Sequence, residues 1–164
     1  YGTILLEIKK EVLLMKYNEV MKVEPGTVLL VNGEPFEVHR VSNYQCRTAS
    51  WLNLVMQTLS GEKVLELSDG KIREWTQVLD MPDAGVEMET VDYHGHHFEV
   101  DESRVRAKTL SRNVAGKIQE NSVTSVYVDE LDEHVLLSIE TRGDKLFVWY
   151  SDRVISPKDI KVAS

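Results

Sequence analysis

Apolar and polar residues follow two different periods along this chain, and the change falls at Gly26. Before it, from Ile4 to Val20, no Pro or Gly interrupts the run. Ile4, Leu5, Ile8, Val12 and Met15 recur at spacings of one, three and four, the pattern of an apolar stripe on a helix. Leu6, Leu13, Leu14 and Tyr17 widen that stripe, leaving Glu7, Lys9, Lys10, Glu11 and Lys16 for water. The pattern predicts an amphipathic helix within residues 1–22, packed on the main body or on a second copy of the chain. Pro25-Gly26 ends the segment as a turn.

Beyond Gly26 the period becomes two. Thr27 to Val31 and Glu34 to Val38 flank Asn32-Gly33, a pair that tolerates the positive φ angles of a tight hairpin turn. Pro35 cannot donate to a ladder, which places its strand at an edge. Trp51 to Thr58, Val64 to Leu67 and Glu74 to Val78 form further strands, punctuated by Ser60-Gly61 and Asp69-Gly70. Residues 81–90, with Pro82 and Gly85, read as a linker. Thr90 to Tyr93, His94-Gly95 and His96 to Val100 then repeat the first hairpin's grammar. Ser125 to Asp129 and His134 to Thr141 are strands on either side of an acidic bend. Arg142-Gly143-Asp144 turns the chain into Lys145 to Tyr150, and Val154 to Val162 closes it.

The two halves can be laid side by side. Val31 to Val38 matches Tyr93 to Val100, sharing a turn glycine and Phe-Glu-Val. Leu52 to Leu67 resembles Val135 to Trp149, with Gly61 opposite Gly143 and Lys63 opposite Lys145. Such small antiparallel units cannot bury an apolar face alone, so two copies would share a core. The expected fold is therefore mainly β. Two related antiparallel subdomains, barrel- or sandwich-like (23–80 and 91–164), are joined by the 81–90 linker and preceded by an N-terminal α-helix.

Composition narrows the function. The chain has 164 residues, 27 acidic against 19 Lys and Arg, and a net charge of −8. Nucleic-acid affinity comes mainly from clustered Lys and Arg, so nucleic acid is not an expected partner. The basic stretch Arg104 to Lys117 holds no aromatic residue for base stacking and reads as a mobile loop or a docking patch. One cysteine, Cys46, cannot form an internal disulfide and suits a reducing, cytoplasmic compartment. No run of 18 apolar residues exists to span a bilayer. Peripheral membrane contact by the helix is disfavoured because its polar face mixes signs.

The opening Gly26 to Val38, with Asn32-Gly33-Glu34-Pro35-Phe36-Glu37-Val38, carries a family resemblance. So do the tryptophan-led strand Trp51-Leu52-Asn53-Leu54-Val55-Met56 and Leu136-Leu137-Ser138-Ile139-Glu140 followed by Gly143-Asp144. Together these resemble the bacterial domain-of-unknown-function family numbered 4178, over about residues 23–162. The resemblance implies an uncharacterised module in a membrane-stress, phage-shock-type context, with no catalytic residues to carry over. A second echo, of the small translation-factor barrel of the elongation-factor-P type, fails on charge.

Candidate chemistry is sparse. His94 and His96 lie two apart, and with Asp92 they offer the imidazole and carboxylate ligands of a divalent-metal site. Cys46 with His39 or His134 would need a base in reach and a lowered thiol pKa to act as a nucleophile. No phosphate-binding glycine loop occurs. Asp129, Glu130, Asp132 and Glu133 read as a solvated acidic bend. Trp51, Trp75, Trp149, Tyr127 and Tyr150 supply rigid area for a protein partner, where Trp and Tyr dominate affinity. These readings favour a non-catalytic protein-binding or scaffolding role without a cofactor, engaging a protein partner or a second copy. The alternatives are a metal- or small-ligand-binding protein using the histidines, and an acidic inhibitor of phage type.

Overall fold

The structure, a computed structural model, describes residues 2–163. A helix α1 (Gly2–Met21) precedes β1 (Val28–Val31), β2 (Glu34–Glu37), β3 (Arg40–Gln45), β4 (Ser50–Thr58), β5 (Gly61–Ser68) and β6 (Lys71–Gln77). The second half follows as β7 (Thr90–Tyr93), β8 (His96–Asn113), β9 (Gly116–Asp129), β10 (Leu136–Arg142), β11 (Lys145–Ile155) and β12 (Ile160–Val162). The mainly β class and the N-terminal helix are as expected.

Three tight turns set the hairpin registers. Asn32-Gly33, Asp69-Gly70 and His94-Gly95 each place two successive residues at positive φ, between 46° and 82°. That backbone matches the twist of the strands it joins, which is why Asn, Asp or His followed by Gly occupies each turn.

The halves do not close separately. β3, β4, β5 and β6 form one antiparallel run, and β8, β9, β10 and β11 form another. β6 pairs with β11, and β3 pairs with the distal part of β8 (Val41 opposite Arg112, Gln45 opposite Lys108), so the two runs join at both edges. The result is a closed eight-stranded antiparallel barrel. β12, β1 and β2 make a separate three-stranded sheet. Both halves repeat the order of a four-strand meander, but the correspondence is offset from the one read in sequence. Gly61 opens β5, whereas Gly143 lies in the β10–β11 turn, which by strand order corresponds to Asp69-Gly70.

The barrel is apolar outside and largely polar inside. One outer cluster joins Leu52, Leu54, Leu65, Leu67 and Ile72 to Leu29 and Phe36 of the small sheet and to Tyr17 and Val20 of α1. The other sets Phe98, Tyr127, Leu137, Ile139 and Val148 against Val91. The 81–90 segment lies over this second cluster through Met81, Ala84, Val86 and Met88. It is pinned by the Ser125 hydroxyl donating to the Val86 carbonyl at 2.6 Å and the Tyr127 hydroxyl donating to the Met88 carbonyl at 2.7 Å. Each covered face has an apolar partner layer, and burying it is the main force holding the barrel together.

Two local expectations are corrected. The basic stretch 104–117 is no loop: it lies in the β8–β9 hairpin, turned at Asn113, whose side-chain oxygen accepts from the Ala115 and Gly116 N–H groups. Strand pairing survives there because the ladder absorbs extra residues between Val100 and Val105, with Arg104 at φ 51°. The helical stripe also differs. At 3.6 residues per turn, Ile4, Leu5, Ile8, Val12 and Met15 share an arc of about 100°, and Leu6, Leu13 and Tyr17 fall on the opposite side. Apolar side chains thus reach nearly every side of α1, interleaved with charged ones. Only Tyr17 and Val20 in its last turns are buried, and Ile4 to Met15 lie exposed.

Candidate barrel-mouth site

The register makes the interior legible. Tyr44 opposes Trp51, Ser42 opposes Asn53, Asn53 opposes Glu66 and Val64 opposes Trp75. On the other side Glu140 opposes both Thr124 and Phe147, and Ser138 opposes Trp149. Because strand side chains alternate, all of these point inward.

One end of the interior is a charged layer with matched partners. Arg40 donates to both Glu62 carboxylate oxygens, at 2.8 and 3.2 Å. The Tyr44 hydroxyl donates to Glu140 at 2.6 Å and accepts from Arg142 at 2.9 Å. Arg142 also lies 3.9 Å from Glu120 and from Glu140, with its guanidinium 4.4 Å from the Phe147 ring centroid. Burial, reinforced by the Glu140 charge, pushes the Tyr44 hydroxyl well above its ordinary pKa. Hydroxyl pairs continue the polar lining, Ser42 with Ser111 at 2.8 Å and Thr109 with Ser122 at 3.2 Å. Arg40, Glu62, Ser111, Glu120, Arg142 and Phe147 border an opening of about 430 Å³.

Beyond an apolar band of Val55, Val64, Trp75 and Trp149 the lining changes. A cavity of about 30 Å³ is walled by Tyr44, Trp51, Trp75, Trp149 and the carboxylates Glu66 and Glu140. Asn53 Oδ1 is buried there without a hydrogen-bond partner, and the Trp75 indole N–H lies beside Glu66. Orphaned polar atoms of this kind are costly, and a native site normally fills them with water or ligand. Trp51, Glu66, Trp75, Thr124 and Ser138 also line a second opening of about 440 Å³, rimmed by Asp69, Asp101, Glu102 and Cys46. Glu66 is the unusual group. Desolvation pushes its carboxyl from 4.5 to about 7, although the Trp75 indole N–H and the Arg73 charge favour ionisation. Arg73 itself donates to the His134 carbonyl at 3.2 Å and the Ser151 hydroxyl at 3.1 Å.

The residues singled out in sequence are distributed differently. Tyr127 is fully buried in the second outer cluster, so it offers nothing to a partner. Trp75 and Trp149 are buried inside the barrel, Trp51 is half-buried at the mouth and Tyr150 is half-buried on the outer face. His94, His96 and Asp92 do not converge. His94 meets Asp80 at 3.2 Å, His96 meets Asp129 at 3.0 Å, and Asp92 meets His97 at 2.7 Å. The tight turn is the reason: His94 sits in it at φ 46°, outside the strand alternation that would have placed it beside His96. Among the described residues His97 is grouped with Glu99 and Glu130, their ligand atoms within 4.8 Å of one another, and its pKa is raised chiefly by the Asp92 hydrogen bond. Asp129 is buried against His96 and does not belong to a wholly solvated bend. Cys46 pairs with Thr48 at 3.7 Å; that residue's backbone and hydroxyl hydrogen bonds lower its thiol pKa.

Sequence reading missed Asn53, Glu66 and Glu140. Their signal was present in the period-two hydroxyls Thr109, Ser111, Ser122 and Thr124, which mark strand faces too small and polar for a core and too regular for loops.

The fold and these openings define a class: a closed antiparallel β-barrel with a polar interior that opens to solvent. The chain belongs to the DUF4178 family, a domain of unknown function, whose model matches residues 24–157. Comparisons with curated proteins and with solved structures give no match. No helix among the described residues is long and apolar enough to cross a membrane.

Proposed function

We propose that this is a non-catalytic binding protein and that the tryptophan-flanked mouth of the barrel is its small-ligand seat. One observation carries this reading: the unpartnered Asn53 Oδ1 lines an inner cavity that shares its walls with an opening of about 440 Å³. That volume lies within the range of small-molecule sites, and the lining combines aromatic walls with a few convergent polar groups. Cys46 on the rim gives a direct test. Small molecules of varied chemistry that raise the melting temperature should also slow alkylation of Cys46 by a maleimide, and prior alkylation should abolish their effect. Hits that leave the alkylation rate untouched would place the ligand elsewhere.

Association with a protein partner or a second copy is the second reading, favoured by the exposed apolar side chains of α1, among them Ile4 at 65% and Met15 at 66% exposure. Exposed apolar area on this scale marks interaction surfaces. Light scattering on the full chain should show a dimer or larger species that Leu5→Glu with Leu13→Glu reduces to monomer. A full-length chain that is monomeric at about 100 μM would remove self-association.

A further inference from the structure

The exposed part of α1 has a regular seam. Leu5, Ile8, Val12 and Met15 recur at alternating spacings of three and four, the a and d positions of two successive heptads. Each of the four is more than half exposed. Tyr17 and Val20, which fix the helix to the barrel, point about 130° away from the centre of this stripe. Docking on the barrel therefore turns the stripe outward. Glu19 and Lys22 take the next a and d positions in sequence, and their charges end the seam.

The flanks of the stripe select its partner. Lys9 and Lys16 occupy the two e positions on one side, and Glu11 occupies the g position on the other. Two copies of α1 running in the same direction set the g flank of each against the e flank of the other. Glu11 of one chain then meets Lys16 of the second, and the two-fold symmetry makes this contact twice. Copies running in opposite directions set like flank on like, Lys9 against Lys9 and Glu11 against Glu11. Lys16 already lies 3.6 Å from Glu19 of its own helix, and an ammonium with three donors can serve both carboxylates.

We propose that α1 is a dimerisation helix, pairing in parallel across a two-fold axis with α1 of a second copy through Leu5, Ile8, Val12 and Met15. The inference rests on the second reading above, association through α1, and adds the partner, the direction and the register. Two heptads are short for a free coiled coil because a helix is costly to nucleate, but this helix is already anchored at one end by the barrel. Each barrel is then held on the side of its helix away from the seam.

Disulfide exchange reads the direction. Full chains carrying Cys46→Ser with either Leu5→Cys or Met15→Cys are mixed equally in a glutathione redox buffer, at about 100 μM so that a weak dimer is populated. In a parallel pair a faces a and d faces d, so the expected products are the two homodisulfides. Leu13→Cys, on the far side of the helix, should cross-link no faster than unfolded chains. Light scattering on the unsubstituted chain should show a dimer that Glu11→Lys weakens about tenfold, by turning two attractions into repulsions. That variant gains an i,i+4 pairing with Glu7, so the helix itself is not weakened.

Disulfides joining Leu5→Cys chains to Met15→Cys chains, equally fast cross-linking through Leu13→Cys, or a dimer untouched by Glu11→Lys overturn the parallel seam and leave association through α1 standing. An assembly larger than a dimer does the same. A chain that is monomeric at this concentration overturns both.

Discussion

Glu66→Gln raises the stability of the free protein at pH 8 by up to about 3 kcal/mol, the free energy of holding a carboxyl 2.5 units above its ordinary pKa. The sign follows from proton counting. Below about pH 4.5 the carboxyl is protonated in both states and costs nothing extra. Between 4.5 and about 7 the unfolded chain has released the proton and the folded chain has kept it, so stability falls as pH rises. Above about 7 both are ionised and the loss is complete. The mutant removes the titration, so its stability should no longer decline over that window. For a domain of this size the gain corresponds to ~6–12 °C in melting temperature at pH 8. Thermal unfolding of both proteins from pH 4 to pH 8 checks it, and parallel curves would show that Glu66 is solvated well enough to titrate normally.

Arg142→Met costs about 3–5 kcal/mol, because it strands Glu140 and Tyr44 inside the barrel without their cation. Arg142 stacks on Phe147 and donates to the Tyr44 hydroxyl, and Glu140 is 4% exposed, so water cannot replace the lost partner cheaply. Lysine is a poor substitute, having neither the flat face for the ring nor the forked donors. Tyr44→Phe removes one hydrogen-bonding group from the layer and should cost about 1–3 kcal/mol. The double mutant Glu140→Gln with Arg142→Met should recover part of the loss, since removing both charges leaves none unbalanced. Urea denaturation at pH 7 distinguishes these cases. A loss below about 1 kcal/mol for Arg142→Met would mean that the layer is hydrated from the adjacent opening.

Much of the local architecture was legible in the residues. Asn32-Gly33, Asp69-Gly70 and His94-Gly95 specify tight turns by chemistry alone, and each is a tight turn in the structure. Alternation located most of the strands but neither β3 nor the far end of β8 and the start of β9, and the family follows from motifs within 24–157. The interior was harder to read. In Val64-Leu65-Glu66-Leu67 the alternation separates Val64 and Glu66 from Leu65 and Leu67 but says nothing of which pair faces inward. The usual assumption sends leucines into the core and glutamate to water. Here Leu65 and Leu67 lie under the small sheet outside the barrel, and Glu66 points within.

By itself, then, the chain determined its tight turns, most of its strands, its helix and its acidic balance, because these depend on residues within a few positions of one another. The tertiary structure alone decided that two four-strand runs close on each other, through pairings such as Val41 with Arg112 and Ile72 with Ile155. That closure also decides which strand faces become interior, and so brings Glu66, Asn53 and three tryptophans together as the lining of one cavity. Nonlocal pairing carries no local signature: its free energy comes from burying faces against segments dozens of residues away.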